Sequence, residues 1–277
     1  MNNKKLFALF GIKRNPFLSD VPVEGLFKSA KFSDFAWKIE NLVMDGGFAA
    51  IFGDPGMGKS VILRMLYHRL SEIKEICVAN CERPQSNLSD FYQEICGLFT
   101  LEGASGNRYR SFKTLKERWK HHIETTLFRA ILFIDEAQEL PFDVLSEIRL
   151  LTSEHFDSRK ILTVIMAGDM RLYDYLNYRD LLPLQSRIRT KLTLDPLDRE
   201  ELLKILNHVI ESAGNKQLMT PGLMETISEH SSGNPRVMMN TCDELLMKAL
   251  QLEKSQLDEK LFFEVFQDKL PKRKGPR

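Results

Sequence analysis

Two short stretches carry residues whose types and spacing could do chemistry on a polyphosphate. The first is Gly53-Asp54-Pro55-Gly56-Met57-Gly58-Lys59-Ser60, set between the apolar run Phe48-Ala49-Ala50-Ile51-Phe52 and the segment Val61-Ile62-Leu63-Arg64-Met65-Leu66. It reads strand, glycine-rich turn, helix, the context in which G-x-x-x-x-G-K-[ST] is a phosphate loop. Glycines let consecutive backbone N–H groups turn inward around phosphate, and the positive N-terminal end of the next helix adds to the attraction. Gly53 through Val61 would cradle ATP, with Lys59 reaching the β- and γ-phosphates and Ser60 ligating Mg²⁺.

The second stretch is Ile131-Leu132-Phe133-Ile134-Asp135-Glu136. Consecutive apolar residues followed by acids read as a buried parallel strand that delivers carboxylates to the crevice at its C-terminal end. Asp135 would hold Mg²⁺ through water, and Glu136 would orient and activate the attacking water. The following Ala137-Gln138 completes a string superficially like that of DEAD-box helicases, which need a second motor domain that a chain of 277 residues has no room for.

Three further positions bear on the same chemistry. Asp169 follows the apolar run Ile161 to Ala167 and either senses the γ-phosphate through the attacking water or caps the helix that starts near Arg171. Arg187 and Arg189, at a helix end on the domain rim, suit a charge donated to a neighbouring subunit's nucleotide; Arg187 is the first choice and Arg189 the reserve. Arg236, in Gly233-Asn234-Pro235-Arg236 at a helix start, would be aimed back at the phosphates.

The elements that must position these groups follow from pattern. Residues 1–32 read as an N-terminal arm packing on the nucleotide domain, with Phe10 and Phe17 either in the core or against adenine. Ser33 would cap a helix to about Met44. Residues 33–195 form the α/β domain, and Asp195-Pro196-Leu197 marks the boundary to a helical domain over 196–270, followed by a basic, disordered tail over 271–277. The loop and helix containing Arg108, Tyr109, Arg110 and Lys113 are either a solvated face or a grip on a phosphate backbone.

Lys+Arg 39 against Asp+Glu 38 gives a net charge of +1, so global charge argues for no nucleic acid and any DNA surface must be local. Cys77, Cys81, Cys96 and Cys242 have neither a C-x-x-C pair nor metal-ligand spacing, and read as reduced thiols. No apolar run is long enough to span a bilayer and the N-terminus lacks a signal-peptide pattern, so the expectation is a cytoplasmic protein without a membrane partner.

Taken together, these residues resemble the AAA+ ATPases, and more narrowly the group containing the secretion ATPase ExeA and the transposition ATPases TniB, TnsC and MuB. The resemblance rests on Phe10-Gly11 with Asn15-Pro16-Phe17, the phosphate loop, Phe133 to Gln138, Ala167-Gly168-Asp169, Gln185-Ser186-Arg187 and Gly233 to Arg236. It implies a five-stranded parallel sheet in order 5-1-4-3-2 with a helical lid, Arg187 as finger, Arg236 as lid sensor and Asp169 as first sensor, where relatives more often have Asn, Thr, Ser or Gln. ExeA-like proteins continue into a membrane segment and a cell-wall-binding domain, whereas members of this length resemble ATPases that travel with a transposase. The resemblance then implies assembly with ATP into rings or filaments on double-stranded DNA, contacts from Arg83, Arg108, Arg110 and Lys113, disassembly on hydrolysis, and a transposase and target-selector protein as partners. A secretion ATPase and a replication loader or initiator-like switch stand as alternatives.

Overall fold

The computed structural model describes residues 2–81, 87–100 and 107–266 of the chain. The chain divides into two compact units, residues 28–195 and residues 1–27 together with 196–277.

The first unit is built on parallel strands β1 (Gly47–Gly53), β2 (Val78–Cys81), β3 (Ala130–Ile134), β4 (Leu162–Gly168) and β5 (Ile188–Leu194), in the spatial order β2-β3-β4-β1-β5. This is the order 5-1-4-3-2. Every residue of β1, β3 and β4 is buried, as a strand covered by helices on both faces must be, whereas β5 alternates along its length at the sheet edge. The pairing Phe52↔Gly168 joins β1 to β4, and Ile134↔Met166 joins β3 to β4, so the C-terminal ends of these three strands lie side by side.

Local chemistry sets the helices. The Ser29 hydroxyl accepts from the Phe32 amide at 3.1 Å, so the helix Ala30–Asp45 starts four residues before the position expected from a cap at Ser33. Ser33 instead lies inside the helix and donates to the Ser29 carbonyl. Asn87 caps Leu88–Leu98, and Asn107 caps the long helix α5 (Arg108–Thr126), which buries Leu115, Trp119 and Ile123. A two-stranded antiparallel ribbon, Ser153–Glu154 with Arg159–Lys160, precedes β4; sequence reading did not anticipate it.

In the second unit, Asp198 and Glu201 form a capping box at the start of Arg199–Ala213, and Pro221–His230, Pro235–Gln251 and Glu259–Phe266 complete the helices. Their core includes Leu206, Leu223, Met238, Cys242 and Phe262. Leu6, Phe10, Ile12 and Phe17 are buried in this same core. The Lys13 amide donates to the Ala213 carbonyl at 2.8 Å, and the Asn15 side chain donates to Asp243 at 2.7 Å. The N-terminal segment is therefore part of the helical unit and not an arm on the α/β unit, because its apolar residues complete a small helical core. Phe10 and Phe17 are core side chains, 1% and 5% exposed.

Candidate nucleotide-binding site

Strand β1 ends at Gly53, and helix α3 (Lys59–Ser71) begins six residues on. Gly58 precedes α3 with φ +96°, a conformation that a side chain would strain. The first-turn N–H groups of α3 have no acceptor within the helix, which leaves them directed at whatever occupies the loop. Lys59 is buried, 5% exposed, and its Nζ donates to the Gly53 carbonyl at 2.8 Å and the Asp54 carbonyl at 3.4 Å. A buried ammonium folded onto its own loop carbonyls, beside unpaired helix amides, is a site of positive potential that fits an anionic phosphate chain. Ser60 and Val61 are exposed at the start of α3.

Asp135 and Glu136 follow β3 on the same sheet edge. Asp135 is half-buried and accepts from the Glu136 amide at 2.9 Å, while Glu136 is exposed with left-handed backbone, φ 50° and ψ 41°. Among the described residues no group of three or more His, Cys, Asp or Glu side chains could hold a metal ion. Mg²⁺ does not need one, since it keeps several waters and takes one or two protein ligands beside nucleotide phosphates. A hydroxyl at Ser60 and a carboxylate at Asp135 are the hard oxygen donors that fit it.

Asp169 follows β4, between the two stretches. Its carboxylate accepts from the Arg171 amide at 2.9 Å and from Arg171 Nε at 2.9 Å, so it caps the helix α7 (Met170–Leu176). Burial would raise its carboxyl, but the Arg171 bonds and the nearby Lys59 ammonium hold it below the ordinary carboxylate value. Of the two roles open to it in the sequence, the cap is visible in these contacts.

The sequence assigned Gln138 no role at the site. Its side chain is 5% exposed, its Nε2 donates to Glu136 Oε2, and its Oε1 accepts from the Asp169 amide at 3.1 Å. One amide therefore links the Glu136 carboxylate to the tip of β4. A Cβ at Gly168 would lie 2.7 Å from Gln138 Oε1, which explains the glycine there. The available signal was a lone polar residue two positions after the acidic pair.

The arginines lie elsewhere. Arg187 immediately precedes β5, whose first residue pairs with Phe48 at the start of β1. The phosphate loop follows the end of β1, so a full strand, roughly 20 Å, separates Arg187 from it. Arg187 is paired with Asp157, Nε at 2.9 Å and Nη2 at 2.8 Å, while Arg189 is exposed. Arg236 belongs to the helical unit; its amide donates to the Asn234 side chain at 3.0 Å and the residue is exposed.

Of the expected DNA contacts, Arg83 lies outside the described residues. Arg110 and Lys113 are exposed near the start of α5, where Lys113 sits 3.8 Å from Glu117. Arg108 is engaged: its Nη2 donates to Glu147 at 2.6 Å and its Nε at 3.2 Å, and the Tyr92 hydroxyl donates to the same carboxylate. Glu147 is 4% exposed, so Arg108 neutralises a buried charge; burial and then Glu147 push the Tyr92 phenol well above the usual tyrosine range.

Comparison with known proteins agrees with this architecture. Residues 43–176 match the family described as an AAA domain. The chain is 29% identical over 245 residues to General secretion pathway protein A of Aeromonas hydrophila, covering 87% of this chain and 44% of that protein, less than half its length. In structure it resembles the ORC2 protein of Aeropyrum pernix in its ADPNP and ADP complexes, with TM-score 0.70 and 17% identity over 96% of this chain and 74% of that one. It also resembles the Aeropyrum pernix ORC1 protein in complex with DNA, with TM-score 0.68 and 15% identity over 91% of this chain and 68% of that one. No helix among the described residues is long and apolar enough to cross a membrane. Phosphate loop, strand order and the match over residues 43–176 converge on one fold, the α/β P-loop fold seen in AAA+ ATPases.

Proposed function

We propose that this protein hydrolyses ATP to ADP and phosphate and uses the nucleotide to control its own assembly on double-stranded DNA. The observation that carries the reading is the Lys59 ammonium, buried and hydrogen-bonded to the Gly53 and Asp54 carbonyls, at the head of α3 and beside the strand ends bearing Asp135, Glu136 and Asp169. The loop amides and Lys59 would hold the β- and γ-phosphates, and Ser60 and Asp135 would hold Mg²⁺. Held there, the metal would screen the phosphate charge. Glu136 would take the proton of the attacking water, kept in place by the Gln138 amide. Asp169 would sense the γ-phosphate from the strand between, and Arg236 would report nucleotide occupancy to the helical lid.

Arg187, at the far end of the sheet from its own loop, suits a neighbour's nucleotide better than its own. A triphosphate shared between subunits would make nucleotide control assembly and assembly control DNA affinity. Arg110 and Lys113 are the exposed cations offered to the phosphate backbone, with Arg83 as a further contact. The finer reading is a cytoplasmic regulator of transposition that marks a target site with a selector protein and is disassembled by a transposase. A DNA role is supported by the structural likeness to a DNA-bound ORC1 protein, which equally suits a replication loader or initiator-like switch.

Light scattering with duplex DNA and a non-hydrolysable ATP analogue tests the proposal. Rings or filaments are expected for the wild type and none for Lys59→Ala; an unchanged monomer with both ligands saturating would overturn it. The 29% identity to General secretion pathway protein A favours a second reading, a secretion-associated ATPase. Nucleotide-driven assembly that ignores DNA would select it.

A further inference from the structure

The ribbon before β4 joins two features that the sequence left separate, the basic helix α5 and Arg187. On one side it is tied to α5: the Lys116 ammonium donates to the Ser153 carbonyl, and Lys120 pairs with Glu154, whose side chain is 10% exposed. On the other side it ends in a turn where His155, Phe156 and Asp157 are all left-handed, with φ of 46°, 56° and 73°. Three successive residues with a Cβ in that region are rare and persist only where surrounding contacts hold them. Asp157 makes those contacts: it accepts from the Ser153 hydroxyl at 2.6 Å, pairs with the Lys160 ammonium, and accepts from both Nε and Nη2 of Arg187. Burial would raise its carboxyl, but the bonds from Lys160, Ser153 and Arg187 hold it well below the usual carboxylate range.

The third guanidinium nitrogen, Nη1, donates to the Pro183 carbonyl. Every nitrogen of the Arg187 head group is therefore bound within its own chain, and its charge is matched by Asp157. An arginine in that state offers little to an outside phosphate, because bidentate recognition needs a free fork of donors.

We propose that Asp157 is the positioning residue of Arg187: it holds the guanidinium in an intramolecular pair, and the arginine reaches a neighbour's triphosphate when the ribbon turn releases it. Because Lys116 and Lys120 fasten the ribbon to α5, a polyanion bound along α5 acts on the same turn, and DNA raises turnover by freeing Arg187. This inference rests on the reading of Arg187 as acting on a neighbouring subunit's nucleotide.

The test is steady-state ATP hydrolysis by the full chain, with and without duplex DNA, for Asp157→Asn, Asp157→Glu and Arg187→Ala. Asparagine keeps the volume, tolerates left-handed backbone and removes the charge. Asp157→Asn is expected to raise DNA-free kcat by about threefold or more and to shrink the stimulation by DNA, with KM for ATP within about twofold of wild type. Asp157→Glu keeps the charge and should keep most of the wild-type stimulation ratio, a rescue that merely structural damage would not give. A DNA-free kcat for Asp157→Asn that is unchanged or lower, while Arg187→Ala abolishes turnover, would overturn the inference and leave the role of Arg187 standing. Wild-type turnover in Arg187→Ala would overturn both.

Discussion

Replacing Gln138 by leucine isolates the link between the Glu136 carboxylate and the tip of β4. Leucine nearly matches the glutamine in volume at a site 5% exposed, and removes both side-chain hydrogen bonds. The bond to the carboxylate is worth about 1.5–3 kcal/mol and the one from the Asp169 amide about 1 kcal/mol, with some return from burying an apolar side chain. A stability loss of about 1–3 kcal/mol follows, visible as a lower melting temperature. The effect on rate should be larger than the effect on binding. Glu136 would lose the donor that fixes its carboxylate, and a misplacement of about 1 Å at a reacting group costs on the order of a hundredfold. The Lys59 contacts to Gly53 and Asp54 do not involve Gln138, so nucleotide affinity should stay within about threefold. We expect kcat to fall by about 10- to 100-fold, read by phosphate release beside a fluorescent-nucleotide titration. A folded variant with wild-type kcat, or one whose affinity falls as far as its rate, would refute the reasoning.

Other perturbations separate site from scaffold. Lys59→Ala should abolish the shift in melting temperature that ATP gives the wild type, since a ligand stabilises only the form that binds it. Arg108→Ala leaves the buried Glu147 and Tyr92 without their cation and should cost about 1–3 kcal/mol in denaturant unfolding, discounted because Arg108 itself faces solvent; adding Glu147→Gln should restore much of it. Any DNA defect of Arg108→Ala that vanishes in this double variant would be structural in origin. The depressed Asp157 carboxyl gives stability that is present above its unfolded value and is lost as pH falls through the folded value. Melting temperature against pH should therefore drop less steeply in the acid range for Asp157→Asn than for wild type.

What the sequence made legible was whatever depends on neighbours in the chain. The loop from Gly53 to Ser60 announces itself because a turn around phosphate demands glycine at fixed intervals, and β1, β3 and β4 are apolar, apart from Thr163 in β4, because helices cover both faces. The strand order came from the family resemblance, since periodicity carries no information about which strand lies beside which. Contacts that close across the fold were hidden. Nothing near Arg108 announces Glu147, which lies 39 residues on, and nothing near Arg187 announces Asp157. The role of Gln138 was hidden because the left-handed backbone at Glu136 turns the next residues inward, and an alternation pattern cannot register that turn. The N-terminal segment was assigned to the wrong neighbour for a related reason: Leu6, Phe10, Ile12 and Phe17 declare that they will be buried, and only the fold says in which core.

The central claim is that one subunit's arginine completes another subunit's catalytic site. Its most direct test mixes two inactive variants, Glu136→Gln, which keeps Arg187 but lacks the base, and Arg187→Ala, which keeps the base but lacks the arginine. The mixture should hydrolyse ATP well above the sum of the two proteins measured alone, because mixed neighbours assemble sites with Glu136 from one chain and Arg187 from the other. A mixture that does no better than that sum, while both variants still assemble with nucleotide, would contradict it.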